Sequence, residues 1–202
     1  MSPVTTVDQP KSARERVSQS RLGTVLVLVV TAAVVMVGAY LVNPKPSPQP
    51  GITPVSVGSS DVPPPKVGRA AYDFTATTVD GTKVSLSSYK GHPVWLTFVA
   101  SWCSPCQAEA PDIEAAYKKH LAEGVVVLAI DKEDASAVLD FAKRAGLTYP
   151  QIADTNNSIG DAYRVDGIPA HYFIDKSGIL RAVKACGLSP DQMDAALKEI
   201  NR

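Results

Sequence analysis

Hydropathy divides the chain into two regimes. Residues 22–42 (LGTVLVLVVTAAVVMVGAYLV) carry no charge. At a helical rise of about 1.5 Å per residue such a stretch spans roughly 30 Å, the thickness of a bilayer core, where only a helix satisfies its own backbone. From about residue 70 the pattern changes to short apolar runs separated by turn residues. Segments 72–78 and 82–86 alternate around Asp80-Gly81, a dipeptide that predicts a tight hairpin. The runs 94–100 (VWLTFVA) and 125–130 (VVVLAI) are apolar almost throughout and read as buried strands. Between them, 107–121 predicts a helix with Ala108, Ile113, Ala116, Tyr117 and Leu121 towards a core, a kink at Pro111 and an end at Gly124. A second helix is expected over 135–145, with Asp134 as cap and Gly146 as stop. A short extended piece at 149–153 and one or two helical turns at 157–163 follow, then strands 171–174 and 179–185. Ser189-Pro190-Asp191-Gln192 has the residues of a capping box and opens a last helix. Strands alternating with helices, closing in a hairpin and a helix, predict an α/β fold. It has a mixed central sheet, flanking helices and an N-terminal β-hairpin, preceded by one transmembrane helix.

Residues 43–66 hold eight prolines and read as an extended, solvated linker. The expected organisation is a tail 1–21, a transmembrane signal-anchor helix 22–42, a Pro-rich linker 43–66 and a domain 67–202. Lys+Arg and Asp+Glu both total 20, so nothing basic overall points to a nucleic-acid partner. The balance hides a split: 67–202 carries a formal −3 and 1–21 a formal +2. The basic flank predicts a cytoplasmic tail and an exported C-terminal domain. A cleaved signal peptide is the competing reading. Secretory apolar cores run about 7–15 residues and end at a small-x-small site. The present run is longer and closes on Ala39-Tyr40-Leu41-Val42, which favours an uncleaved anchor in the cytoplasmic membrane; no Cys stands directly after it for a lipoprotein anchor.

Chemistry concentrates in Trp102-Cys103-Ser104-Pro105-Cys106, where a predicted strand gives way to a helix. Helix N-termini carry unpaired N–H groups and partial positive charge, which stabilise a thiolate, the reactive form of cysteine. Residues three apart share a helical face, so Cys103 and Cys106 can form and break a disulfide without refolding. Half a zinc site, a haem attachment point or two core thiols are the alternatives. A zinc site normally needs a second ligand pair, and only Cys186, His92, His120 and His171 remain. Haem attachment needs His where Gln107 stands. Thiol–disulfide redox chemistry is favoured.

Residues 70–202 resemble the TlpA/ResA-like, membrane-anchored thiol-disulfide oxidoreductases of the redoxin (AhpC/TSA-related) superfamily, which have a thioredoxin-like fold. The resemblance is carried by Asp73-Phe74 with Asp80-Gly81, by 86–91, the Trp102–Cys106 motif, Pro111, Tyr163, Ile168-Pro169, Ile174-Asp175 and Gly178. It implies Cys103 as attacking thiol, Cys106 as resolving thiol and Pro169 as a cis-proline beside them. The Ile168 backbone would pair with a substrate segment, Trp102 would shield Cys103, and Glu109 would assist proton transfer. An ordinary first-turn acid is the bland alternative for Glu109. No cofactor and no metal are implied. The expected partners are exported proteins with disulfides, apocytochrome c being the family's usual target, and a membrane electron donor for re-reduction. The membrane itself is engaged through 22–42.

Thioredoxins keep a buried Asp where Thr97 stands, and the cytochrome-c-maturation reductases of proteobacteria keep a Glu where Ala170 stands. Cys186 is extra; a buried thiol at a strand end is expected, with intermolecular pairing as the alternative. The favoured activity is reduction of protein disulfides. An oxidant or isomerase uses the same chemistry at a higher potential. A peroxidase of this fold needs Thr where Ala100 stands. A non-enzymatic metal carrier would use Cys103, Cys106 and His171, although such a His is more often partly buried strand surface.

Overall fold

The computed structural model describes residues 21–42, 56–57 and 63–202. The chain divides into two compact units, Met1–Gln49 and Pro50–Arg202. The first contributes helix α1 (Arg21–Val42), which covers the uncharged stretch. Its side chains are described over 23–36, and among the described residues no helix is long and apolar enough to cross a membrane. The Thr31 hydroxyl donates to the Val27 carbonyl at 2.8 Å, so this polar group is satisfied within the helix. The tail before residue 21, and most of the stretch expected as linker, lie outside the described residues.

The second unit opens with β1 (Ser56–Val57), which pairs antiparallel with β2 (Phe74–Thr77); β2 in turn pairs with β3 (Lys83–Ser85) across the expected Asp80-Gly81 turn. Ser56 and Val57 were read as linker, and two residues are too few to show a period of two. The main sheet has the order β6-β5-β4-β7-β8. Strands β4 (Val94–Val99), β5 (Val126–Asp131) and β6 (Gln151–Ala153) are parallel. Strands β7 (Ala170–Ile174) and β8 (Leu180–Ala185) continue it antiparallel. The sheet is mixed, as the alternation of elements predicts. Every residue of β4 is buried, which explains its uninterrupted apolar sequence; the edge strand β8 exposes Arg181 and Lys184.

Helix α2 (Ser104–His120) begins three residues before the predicted start and runs unbroken through Pro111, which is exposed. Helix α3 (Ala135–Ala145) ends at Gly146, whose left-handed φ of 66° lets its N–H reach the Ala142 and Lys143 carbonyls. Asp134 stands at the N-cap but makes no side-chain capping bond, contrary to expectation. Helix α4 (Ser158–Tyr163) receives its cap from Asp154, whose Oδ2 accepts the Ile159 and Gly160 N–H groups at 2.9 Å each. The last helix, α5 (Pro190–Ile200), has the full capping box of Ser189 and Gln192.

Strand alternation divides the core into two layers. Trp95, Val99, Val127, Ala129 and Phe173 pack beneath α2 and α5, with Ile113, Met193, Leu197 and Ile200. Leu96, Phe98, Leu128, Ile130, Tyr172 and Ile174 face the other way, under Phe74, Val84 and Leu86 of the N-terminal hairpin region and Ile159 and Tyr163 of α4. Tyr163 ties this second layer together: its ring meets Tyr172 edge-on at 5.1 Å and its hydroxyl donates to the Tyr72 carbonyl at 2.6 Å.

A polar clamp joins α2 to α5. His120, 2% exposed, places Nε2 2.8 Å from Asp194 Oδ1 and Nδ1 3.1 Å from Glu123 Oε2, and Lys119 reaches the other Asp194 oxygen at 2.6 Å. Burial alone would depress the imidazolium, but the hydrogen bonds to Asp194 and Glu123 outweigh it and hold His120 above 6.5. Lys119 and His120 hold Asp194 well below its ordinary 3.8. The folded state therefore keeps a proton on His120 where the unfolded chain has lost it. The clamp is complete between the ordinary carboxylate range and pH 6.5, and it weakens as pH rises through the elevated His120 value. D194N is expected to cost about 1–3 kcal/mol near pH 6, and less as pH rises through that value, read as urea midpoints of the full chain. A cost that stays constant from pH 6 to beyond the His120 titration would show that the imidazolium is not what Asp194 holds.

Candidate active site

The buried strand β4 ends in a short loop that delivers Cys103 to the N-cap of α2. The loop is held at both ends. The Cys103 N–H donates to the Ala100 carbonyl at 3.1 Å, and the Gln107 N–H returns to the Cys103 carbonyl at 3.0 Å. Glu133, just past β5, accepts both the N–H and the hydroxyl of Ser101, the latter at 2.8 Å. The sequence gives no sign of this anchor, because Glu133 is 32 residues away.

Cys103 and Cys106 are bonded, with Cα atoms 5.2 Å apart. The Cys106 N–H points at Cys103 Sγ from 3.3 Å, so the first sulfur occupies the place of an N-cap acceptor. Both residues are buried, Cys103 at 5% exposure and Cys106 at 1%. Ile168-Pro169 is a cis peptide. Pro169 is buried, and its carbonyl accepts the Cys186 N–H at 3.0 Å. Trp102 is 68% exposed and stands at an open cavity of about 350 Å³, whose apolar lining includes Phe98, Val99, Ile130 and Ile168. Lys132, Asp154 and Asp166 add charge to the same cavity.

His171 and Cys186 differ from expectation, and Glu109 departs from its bland alternative. Glu109 is not a first-turn acid: α2 starts at Ser104, and Glu109 lies on its buried face, accepting the Leu188 N–H at 2.9 Å through Oε1. His171 is not half-covered strand surface but fully enclosed; the Trp95 indole N–H donates to its Nδ1 at 3.3 Å, and its Nε2 lies 3.4 Å from Glu109 Oε1. Cys186 is not a core thiol. It lies just past β8, exposed, with a left-handed φ of 71° that turns the chain towards Leu188.

Sequence reasoning missed a fourth group. Thr97, the residue where thioredoxins keep an Asp, is fully buried with its hydroxyl unpartnered among the described residues. A buried carboxyl stands instead on the neighbouring strand. Asp131 of β5 pairs in register with Val99, is 0% exposed, and neither carboxylate oxygen has a hydrogen-bond partner among the described residues. Burial, helped by the negative charge of Glu133, pushes its pKa well above 3.8. Burial likewise pushes up the Tyr149 hydroxyl, with Asp131 and Glu114 adding to it.

Comparison with known proteins agrees with this geometry. The AhpC/TSA family model matches residues 67–183. The chain is 33% identical over 135 residues to the thiol-disulfide oxidoreductase ResA of Geobacillus kaustophilus, covering 66% of this chain and 78% of that protein. Among solved structures it is similar to a thiol:disulfide interchange protein of the thioredoxin family from Chlorobium tepidum, at 30% identity and a TM-score of 0.60 over 70% of this chain and 99% of that one. It is also similar to the pneumococcal exposed lipoprotein thioredoxin of Streptococcus pneumoniae, at 34% identity and a TM-score of 0.54 over 63% and 98%. The fold is thioredoxin-like.

Asp131 yields a prediction whose sign follows from its burial. A folded-state pKa above the unfolded one means that the carboxyl costs nothing at low pH and progressively more as pH rises towards the folded value. D131N removes that cost. Its stability relative to the native protein should rise above about pH 4, by up to about 1.4 kcal/mol per pH unit. Chemical denaturation across pH 4–7 measures the gap; a gap that does not widen means that Asp131 is ionised in the fold at little cost.

Proposed function

The chain belongs to the AhpC/TSA family and is a ResA-like thiol-disulfide oxidoreductase, and from that premise we propose that it is a membrane-tethered reductase of protein disulfides on the outer side of the cytoplasmic membrane. The observation that carries this reading is the Cys103–Cys106 pair at the head of α2, with Cys103 at the N-cap and its chain neighbour Trp102 lining an open cavity. A thiolate at Cys103 gains from the Cys106 N–H and from the unpaired N–H groups and dipole of the helix end.

In the dithiol form, Cys103 thiolate attacks one sulfur of a client disulfide. The client S–S bond breaks, one client sulfur leaves as a thiolate, and the other is joined to Cys103. Cys106 then gives its proton to Glu109, and its electron pair attacks Cys103 Sγ. The mixed disulfide breaks and the second client sulfur departs as a thiolate, both client thiolates taking up protons. Two electrons have passed from protein to client, and the Cys103–Cys106 bond is restored. Glu109 follows Cys106 by three residues on the same buried face of α2, a position from which a carboxylate can serve a resolving thiol. Trp102 and Ile168 at the cavity present apolar surface to a client segment, and the backbone of Ile168-Pro169 offers it an extended edge.

The tether is supported by the uncharged stretch 22–42 behind a basic flank. It would keep the domain near a membrane electron donor, which an exported reductase needs because its compartment is oxidising. Disulfide-bonded apocytochrome c is the client that the family resemblance implies.

C103S should abolish insulin reduction by the full chain, and C106A expressed in cells should accumulate clients disulfide-linked to Cys103. Retained turnover in C103S would overturn the reading. Equilibration of the native protein with glutathione decides direction: a reductase is expected near the thioredoxin end of the range, and a midpoint above about −150 mV would make it an oxidant instead.

A further inference from the structure

His171 is a buried titratable group next to Glu109 that the exchange scheme leaves without a role. It lies two residues after cis-Pro169 on β7, on the sheet face that α2 covers. Its polar surroundings are few. From β4, its register partner Thr97 is buried with its hydroxyl unpartnered among the described residues, and Trp95 donates its indole N–H to Nδ1 at 3.3 Å, the ring centroids 5.7 Å apart. From α2, Glu109 Oε1 comes within 3.4 Å of Nε2. From β8, its register partner Lys184 is exposed to solvent. Glu109 is 4% exposed, and Trp95 and His171 are both 0% exposed.

The indole nitrogen can only donate. Nδ1 must therefore present a lone pair, and an imidazolium would set one N–H against another. His171 is thereby held neutral, with its single proton on Nε2, the nitrogen that faces Glu109. That Nε2 has no aligned hydrogen bond among the described residues in the disulfide state, nor does Glu109 Oε2. Two adjacent buried groups each hold an unused valence, an arrangement that normally costs stability. The carboxylate is already fixed through Oε1 by the Leu188 N–H, and Oε2 lies on the side of Gly187, where a side-chain carbon would come within 3.8 Å of it.

We propose that His171 is a positioning residue for Glu109: locked by Trp95 in the Nε2–H form, it sets that N–H edge beside Oε1, 3.4 Å away and not yet bonded in the disulfide state, and so steadies the carboxylate that takes the Cys106 proton. This rests on Glu109 being the proton acceptor of the resolving step. In that step the Cys106 S–H bond breaks and its proton passes to the Glu109 carboxylate. The sulfur's electron pair forms the bond to Cys103 while the client leaves with the pair from the mixed disulfide. His171 neither gains nor loses a proton.

Two measurements on the full chain test this. Nitrogen-resolved NMR of the imidazoles at pH 7 should show His171 neutral with Nε2 protonated; an imidazolium, or a proton on Nδ1, overturns the proposal without any variant. In rapid-mixing assays with a preformed Cys103 mixed disulfide, E109Q should slow closure of the Cys103–Cys106 bond at least about tenfold. H171L should slow it to a similar extent. H171Q, whose amide can accept from Trp95 and donate to Glu109, should recover most of the rate. H171L added to E109Q should cost nothing more. If E109Q closes at the native rate, the reading of Glu109 fails and the proposal falls with it. If E109Q is slow but H171L is fast, or the two losses multiply, Glu109 stands and His171 has no positioning role.

Discussion

The antiparallel pairing of β4 with β7 is the constraint on which the site depends. β4 carries the chain into the Cys103 loop, and β7 starts at the cis-proline, so their register decides what lies beside the disulfide. The register sets Thr97 opposite His171 and Phe98 opposite Ala170. Pairs on the α2 side then include Trp95 with Phe173, stacked at 5.2 Å, and the other face receives Leu96 with Tyr172. A slip of β7 by one residue would turn His171 away from Glu109, and a slip of β4 would drive Trp95 into the layer under the hairpin. The aromatic residues make such a slip costly, because each strand carries rings fitted to different neighbours on its two faces, Trp95 and Phe173 under α2 and Phe98 and Tyr172 in the opposite layer. Packing in a part of the sheet with no chemistry of its own thus positions the groups that have it.

The same register accounts for an unusually polar core beneath α2. Thr97, Asp131, His171 and Glu109 are all buried there, and each has at least one polar atom unpartnered among the described residues. Unsatisfied groups of this kind typically cost about 1–3 kcal/mol each, and natural proteins keep few of them. Their concentration on the side of the sheet that carries the cysteines, while the opposite layer is aromatic and satisfies its Tyr163 and Tyr172 hydroxyls on backbone carbonyls, separates the two layers by task. One stabilises; the other bears a cost that a purely structural core would avoid, which is the pattern expected where protons must be exchanged away from solvent.

What could be read in the chain depended on how far apart the interacting residues are. The Cys103–Cys106 spacing, the Asp80-Gly81 turn and the Ser189–Gln192 capping box are local and stand where the sequence predicts them. The continuous apolar run of β4 was legible because both its faces are covered. Asp134 was misread for a local reason: residue type makes a cap possible, but a side-chain rotamer decides whether it forms. The remaining differences are non-local. His171 and Asp131 are buried by α2 and by neighbouring strands, which no spacing within β7 or β5 reveals. Cys186 is exposed because the chain turns at a positive φ just past β8, where a strand-end thiol would otherwise continue inward. Glu133 and Glu109 acquire their partners, Ser101 and Leu188, across 32 and 79 residues.

Disulfide exchange asks for opposite environments within one turn of helix. The attacking sulfur must meet a client and be stabilised as an anion, so it belongs at a helix end close to solvent. The resolving sulfur must keep its proton until a mixed disulfide exists, or the pair would close before a client could be engaged. On the proposed assignment of roles both demands are met, with Cys103 at the N-cap and Cys106 one turn further along α2, the residues being 5% and 1% exposed. Depth alone would trap the second proton, because a thiolate is disfavoured in apolar surroundings. A buried acceptor on the same helical face resolves the conflict, provided that it is neither solvated nor neutralised by a cation. In the proposed scheme Glu109 is that acceptor: it is 4% exposed, its Oε1 accepts the Leu188 N–H, and the neighbouring imidazole turns a lone pair on Nδ1 to an indole that can only donate.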